Sequence, residues 1–239
     1  PATNTFIHYL PNPDNPESLS NPRVEKAYED TKGRLWFLTY GGLNLFNRRS
    51  ETFTRYHPEP DDPNSLSGNS FRTVYEDNTG TLWFGTIDGG ICRLAGEPEK
   101  FTTYQLTAGG TESIQAIHLE DTSGVLWLGT NNGLYRLQDQ TLTGYFHDPD
   151  DLGSLSDNTI LALTEDPRGN IWVGTLTGGL NSFDGNTFVR YTHDPDDVDG
   201  LGANSGIYAL YSDERGGLWI SLHGGGLDLL FPHHECEIA

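Results

Sequence analysis

A ten-residue pattern returns five times along the chain, and it constrains the fold more than any other feature. It reads D-T-K-G-R-L-W-F-L-T from Asp30 to Thr39 and D-N-T-G-T-L-W-F-G-T from Asp77 to Thr86. The later copies are D-T-S-G-V-L-W-L-G-T from Asp121 to Thr130, D-P-R-G-N-I-W-V-G-T from Asp166 to Thr175, and D-E-R-G-G-L-W-I-S-L from Asp213 to Leu222. All five tryptophans lie in these copies, separated by 47, 44, 45 and 47 residues. A fixed period of about 20–50 residues marks an architecture of repeated units that bury their apolar faces against one another.

Each repeat has four parts with strand character. A β-branched and aromatic run comes first: Val24 to Tyr28, Phe71 to Tyr75, Ile114 to Leu119, Ile160 to Thr164, Ile207 to Tyr211. The Leu-Trp-Phe run is second. Asp-x-x-Gly joins the two, a turn in which Asp bonds forward to the backbone and Gly takes positive φ. The third part follows a glycine turn at Gly41-Gly42, Gly89-Gly90, Gly133, Gly178-Gly179 and Gly225-Gly226. The fourth is an aromatic pair: Phe53 to Tyr56, Phe101 to Tyr104, Leu142 to Tyr145, Phe188 to Tyr191. No segment holds a helical period, which excludes a helical solenoid. Four antiparallel strands repeated radially describe an all-β fold, a five-bladed β-propeller filling residues 1–239 as one domain.

After Leu227 to Phe231 the last repeat has no Phe-x-x-Tyr. The start of the chain supplies one, Phe6-Ile7-His8-Tyr9, and Phe6 stands 47 residues before Phe53. This register predicts that Phe6 to Tyr9 completes the last blade and closes the ring. The rival is a piece of a larger propeller. Within the second strand, Trp83 and Gly85 share one face, which is expected to bury against the next blade. Gly85, Gly129 and Gly174 are expected to make room for the tryptophan. Leu38 and Ser221 depart from that pattern.

The formal net charge is 14 − 34 = −20. An anionic surface makes nucleic acid and anionic lipid poor partners. No apolar run approaches the ~20 residues of a membrane span. The chain starts at Pro1 and contains no Met, which reads as a mature or excised piece. Cys92 and Cys236 sit at unrelated repeat positions and make neither a disulfide framework nor a metal spacing.

The order S-L-S-x-N, an apolar strand ending E-D, x-x-G-x-L-W-x-G-T, G-G-L and F-x-x-Y resembles the two-component regulator propeller repeat. It stands here from Ser65 to Tyr104 and from Ser154 to Tyr191. The resemblance spans essentially the whole chain in five copies and rests on scaffold residues. It implies a sensor module outside the cytoplasmic membrane, periplasmic or extracellular. Such modules belong to receptors that sense polysaccharide breakdown products, and in the family they continue into a β-sandwich, a membrane helix and an output domain.

In a propeller the loop before each first strand and the glycine turn share one face. That face holds the longest and most varied loops, where binding resides. Its candidate ligand contacts are Tyr40, Asp88, Asn131, Asn132, Thr177 and His223 in the glycine turns. Asn69, Asn158 and Asn204 enter from the preceding loops, with Arg72 beside them, as do Asn21 and Arg23. Asn, Asp, Tyr and His suit hydroxyl-rich ligands, which need donors, acceptors and a flat apolar face. The bland alternative is that the Asn residues cap turns.

Acidic loops at Asn12 to Pro16, Glu59 to Pro63, His147 to Asp151 and His193 to Asp197 offer clustered oxygens. They lack the glycine-hinged spacing of a calcium loop and read as Asx and proline turns. No metal or cofactor is expected. A glycosidase needs two or three converging carboxylates, and Asp88 is the one carboxylate in the glycine turns. His118 stands out at a position otherwise taken by Ala27, Val74, Leu163 and Leu210, and reads as an inner-strand histidine. The sequence therefore points to a non-catalytic binding module. Its ligand is a saccharide or other small molecule at the channel mouth, or a protein on the loop face. A secreted structural or assembly propeller is the alternative.

Overall fold

The computed structural model describes residues 6–59, 61–62, 64–66, 68–88, 90–96, 100–106, 112–119, 124–197, 199–203 and 205–231. These contain strands and no helix. The chain divides into two compact units, Pro1–Glu112 and Ser113–Ala239.

The first unit holds two four-stranded antiparallel sheets. One is β1 (Val24–Glu29), β2 (Leu35–Thr39), β3 (Gly42–Asn47) and β4 (Thr52–Tyr56). The other is β5 (Phe71–Glu76), β6 (Leu82–Thr86), β7 (Ile91–Ala95) and β8 (Lys100–Tyr104). The second unit holds three sheets. They are β9 (Ile114–Leu119) to β12 (Thr141–Tyr145), with β10 (Leu126–Thr130) and β11 (Gly133–Gln138) between. Next come β13 (Ile160–Glu165), β14 (Ile171–Thr175), β15 (Leu180–Phe183) and β16 (Phe188–Tyr191). Last are β17 (Ile207–Ser212), β18 (Leu218–Leu222) and β19 (Gly226–Leu230). Strands follow sequence order in every sheet, the up-and-down pattern of a propeller blade.

The recurring motif is explained by hydrogen bonds. In the Asp30 turn, the Asp30 carboxylate accepts the amides of Lys32 and Arg34 at 3.1 and 2.8 Å and the Trp36 indole N–H at 3.0 Å. Asp77, Asp166 and Asp213 accept the indoles of Trp83, Trp172 and Trp219 at 3.2, 3.0 and 3.0 Å. The six-residue spacing from Asp to Trp is the reach of that bond. Gly33, Gly80, Gly169 and Gly216 close the turns at φ near +80°, a conformation glycine adopts without steric cost. Burial alone would raise the Asp30 and Asp166 carboxyls. Indole, backbone and side-chain donors outweigh it and hold both below the ordinary carboxylate range. At the far end of the second strand, the hydroxyls of Thr39, Thr86, Thr130 and Thr175 donate to the carbonyls of Gly42, Gly90, Gly133 and Gly179 at 2.7–2.8 Å.

Both faces of the second strands are buried, as β10 and β14 show along their whole length. Trp36 packs on Phe84 and Trp127 on Phe183, each in the following sheet of its own unit, at 5.6 and 5.5 Å. The glycine on the same face makes room for a different residue from the one expected. A Cβ at Gly129 would lie 2.6 Å from Cγ2 of Ile160, and one at Gly174 2.6 Å from Cγ2 of Ile207. The inner-strand isoleucine of the next sheet, and not the tryptophan, occupies that space.

Two expectations are corrected. Phe6 to Tyr9 form no strand, and among the described residues the last sheet has three strands. The Tyr9 ring packs on Phe46 and Phe53 of the first sheet, at 5.2 and 5.5 Å, as the fourth-strand Tyr145 packs on Phe183 and Phe188 of its following sheet at 5.2 and 5.7 Å. His118 pairs with Trp127, the register position of Tyr28 opposite Trp36 and Tyr75 opposite Trp83. It therefore corresponds to Tyr28, Tyr75, Thr164 and Tyr211, because one more residue separates it from its turn aspartate.

Candidate functional site

The loop before each first strand and the turn after each second strand are joined by one repeated backbone bond. Tyr40, Ile87, Asn131, Leu176 and His223 donate their amides to the carbonyls of Arg23, Ser70, Ser113, Thr159 and Gly206 at 2.9–3.2 Å. Each inner strand then begins with an irregularity. Pairing skips from Val24 to Lys26, from Phe71 to Thr73, from Ile114 to Ala116, from Ile160 to Ala162 and from Ile207 to Ala209. A bulge frees one residue from the ladder and re-aims its side chain. The freed residues are Glu25, Arg72, Gln115, Leu161 and Tyr208. Only Arg72 was among the sequence candidates. The other four carry no compositional signal, since the bulge exists only in the pairing register.

In the first unit, Arg23 lies over the Tyr40 ring, its guanidinium carbon 3.7 Å from the centroid, and its Nε donates to Glu25 at 3.0 Å. Cation, ring and bulge carboxylate form one group. Asn21 is spent on its own turn, accepting the Arg23 amide at 2.9 Å. Asn69 is exposed and lends its backbone carbonyl to the Gly42 amide at 2.6 Å. Arg72 and Asp88 are both exposed.

In the second unit, Asn131 accepts the Ser113 amide at 2.8 Å and Asn158 accepts the His147 amide at 2.7 Å. Both side chains are engaged in loop geometry, whereas Asn132 is exposed. Thr177 donates through its amide and hydroxyl to Asp157 at 2.9 and 2.6 Å. Burial pushes the Asp157 carboxyl up, but these bonds and neighbouring amides bring it below its ordinary value. His223 packs against Tyr208, ring centroids 5.4 Å apart, and Tyr208 is 54% exposed. Asn204 lies outside the described residues.

The inner-strand polar groups have a structural use. The Tyr28 hydroxyl donates to Glu76 of the next sheet at 2.9 Å, and the Thr31 hydroxyl and amide bind the same carboxylate. Burial first, and then that bond, raise the Tyr28 hydroxyl to about 12. His118 Nε2 meets Glu165 at 3.4 Å in the same arrangement. It is a tie between neighbouring sheets. The acidic loops are Asx turns: Asp148, Asp151, Asp194 and Asp197 accept the amides of Asp150, Gly153, Asp196 and Asp199 at 2.8–3.1 Å. Among the described residues, no three His, Cys, Asp or Glu side chains gather as a metal site.

These matched antiparallel sheets define a propeller-like, all-β fold. The family model described as two component regulator propeller matches the chain at residues 65–88 and 154–177. No curated protein matches its sequence. Its fold is shared by the extracellular domain of a hybrid two-component system from B. thetaiotaomicron, at 24% identity and a TM-score of 0.70, covering 93% of this chain and 28% of that one. A second such domain from the same organism matches at 20% identity and 0.69, covering 87% and 27%. Virginiamycin B lyase from Staphylococcus aureus matches at 16% identity and 0.59, covering 95% and 73%. The chain thus spans little more than a quarter of the two-component domains it resembles.

Proposed function

We propose that the chain is a non-catalytic recognition module working outside the cytoplasm as part of a sensor. It binds a neutral saccharide or similar hydroxyl-rich ligand at the bulged starts of the inner strands. The observation that carries this reading is the bulge itself. Five near-identical backbones each free one residue at the same place, and the five residues are all different: Glu25, Arg72, Gln115, Leu161 and Tyr208. A constant backbone with varied side chains at one spot is how a repeat scaffold carries specificity. The Arg23–Tyr40 and Tyr208–His223 groups add flat faces beside donors, which suits sugar rings. The carboxylates of Asp30, Asp77, Asp166 and Asp213 are committed to tryptophan indoles and backbone amides, which supports binding over catalysis. The two-component domains that share the fold are described as extracellular, which supports the location.

The test is ligand-observed NMR against a panel of neutral oligosaccharides, with uronic and sulfated ones as contrast. Neutral binding lost in Tyr208→Ala and Arg72→Ala, both at exposed positions and so without a fall in Tm, supports the reading. Binding unaffected by both substitutions removes the bulge face from it.

A further inference from the structure

We propose that the loop from Glu59 to Leu66 receives a guanidinium group supplied from outside the chain. Three loops of this protein fold alike. The amides of Asn12, Glu59 and Asp148 donate to the hydroxyls of Ser18, Ser65 and Ser154 at 2.8, 2.9 and 2.8 Å. The amides of those serines donate to the carbonyls of Asn15, Asp62 and Asp151, each at 3.1 Å. Each loop also accepts an amide of the fourth strand beside it. Phe53 donates to Glu17, Phe101 to Asn64 and Phe188 to Gly153, at 2.7–2.9 Å.

Two of these loops are filled by an arginine of that fourth strand. Arg55 donates through Nε to the Ser18 carbonyl at 2.6 Å, and through Nη2 to the carbonyls of Asn15 and Leu19 at 2.9 and 3.1 Å. Arg190 repeats the set on Ser154, Asp151 and Leu155 at 2.9, 2.7 and 3.0 Å. In both, Nη2 meets the serine hydroxyl as well. Three carbonyls and a hydroxyl engaged by two nitrogens of one planar fork form a cradle matched to guanidinium and not to a single ammonium.

The second sheet has the same loop without the arginine. Thr103 stands at its register position. It pairs with Cys92, as Arg55 pairs with Asn44 and Arg190 with Asn181. The Thr103 hydroxyl meets Cys92 Sγ at 3.8 Å, and a threonine side chain ends well short of where a guanidinium begins. Among the described residues nothing donates to the carbonyls of Ser65 and Leu66, and the Asp62 carbonyl accepts the Ser65 amide alone. Beside them lies a cavity of about 120 Å³, lined in part by Glu59, Asp62, Asn64, Ser65, Leu66 and Phe101. Glu59, Asp62 and Asn64 are exposed, so the cavity is open to solvent on that side. The Glu59 and Asp62 carboxylates favour a cationic guest. Arg55 borders the same cavity with its guanidinium held in the first loop. The cradle that this chain fills for itself twice is thus left, in the second sheet, to a guanidinium from elsewhere, either a free alkylguanidine or an arginine displayed on another chain.

The probes are agmatine and the tripeptide N-acetyl-Gly-Arg-Gly-amide, with the lysine tripeptide as contrast. Each is titrated into the isotope-labelled full chain, and amide shifts are followed by NMR. Saturable one-to-one binding of agmatine is expected, with the shifts on Glu59, Asp62, Asn64, Ser65 and Leu66. Binding of agmatine alone identifies a free alkylguanidine as the source, and binding of the arginine tripeptide as well identifies a displayed arginine. The lysine tripeptide should bind at least about tenfold more weakly than agmatine. Thr103→Arg places the chain's own guanidinium in the cradle and should abolish binding, whereas Thr103→Val leaves the cradle open and should bind as the parent does. The proposal is overturned if neither arginine probe binds the parent, if the lysine tripeptide binds equally well, if the shifts lie on other loops, or if Thr103→Arg still binds.

Discussion

Replacing Gly129 with alanine tests the packing that spaces neighbouring sheets in the second unit. Gly129 does not sit at positive φ, so alanine suits its backbone. In an open site the substitution would stabilise by about 0.4–1 kcal/mol through the unfolded chain. Here the new Cβ would lie 2.6 Å from Ile160 Cγ2 and 3.1 Å from Ile160 Cβ. Ile160 is fully buried and β-branched, so its methyl has no free rotamer to retreat into. Overpacking of this kind costs about 1–3 kcal/mol. The net expectation is a loss of about 1–2 kcal/mol, or roughly 2–8 °C in Tm for a chain of this size. Ile160→Ala alone leaves a cavity and costs about 3 kcal/mol. The double variant fills that cavity with the new methyl, so its cost should fall short of the sum by about 1 kcal/mol or more. The assay is urea unfolding followed by tryptophan fluorescence. A Gly129→Ala protein as stable as the parent, or costs that add within about 0.5 kcal/mol, would refute the contact.

Asp166→Ala removes the acceptor of the Trp172 indole and of the Asn170 and Arg168 amides. It should cost about 3 kcal/mol by urea unfolding. Because the folded-state carboxyls of Asp30 and Asp166 are depressed, their stabilising contribution is complete above the ordinary value of 3.8 and is lost as pH falls through their lower folded values. Circular dichroism should therefore show an acid transition below about pH 4 that becomes shallower in Asp30→Asn/Asp166→Asn. Arg190→Ala frees the loop from Asp148 to Leu155. Limited proteolysis should cut there sooner while the sheet spectrum is retained.

The scaffold was readable in sequence because its parts recur. The Asp-to-Trp spacing, the glycine of the turn and the threonine closing the second strand are each required by a bond that four sheets repeat among the described residues. What could not be read falls where one residue changes the register. Counting back from Asp121 puts His118 level with Val74, whereas the ladder puts it level with Tyr75, since one extra residue precedes that turn. The same limit hid Tyr208 and Gln115, whose prominence comes from a bulge. Phe6 to Tyr9 has the right period for a fourth strand. That period gives Tyr9 the contact with Phe46 and Phe53 that Tyr145 makes with Phe183 and Phe188, but it does not give the backbone pairing of a strand.

The varied face also contains a pattern that joins residues twenty positions apart. Asp88 and Thr177 occupy the same place in their glycine turns, and Gly68 and Asp157 the same place in the preceding loops. Where the loop carries Asp157, the turn carries Thr177 to donate to it. Where the turn carries Asp88, the loop carries Gly68, whose missing Cβ would otherwise come within 2.6 Å of the Asp88 carboxylate. Each contact thus holds one carboxylate, supplied from one side or the other. Two carboxylates at that distance would repel and raise one another's pKa, so the loop and the turn must change together. At these two seams the loop and the turn therefore vary as linked pairs.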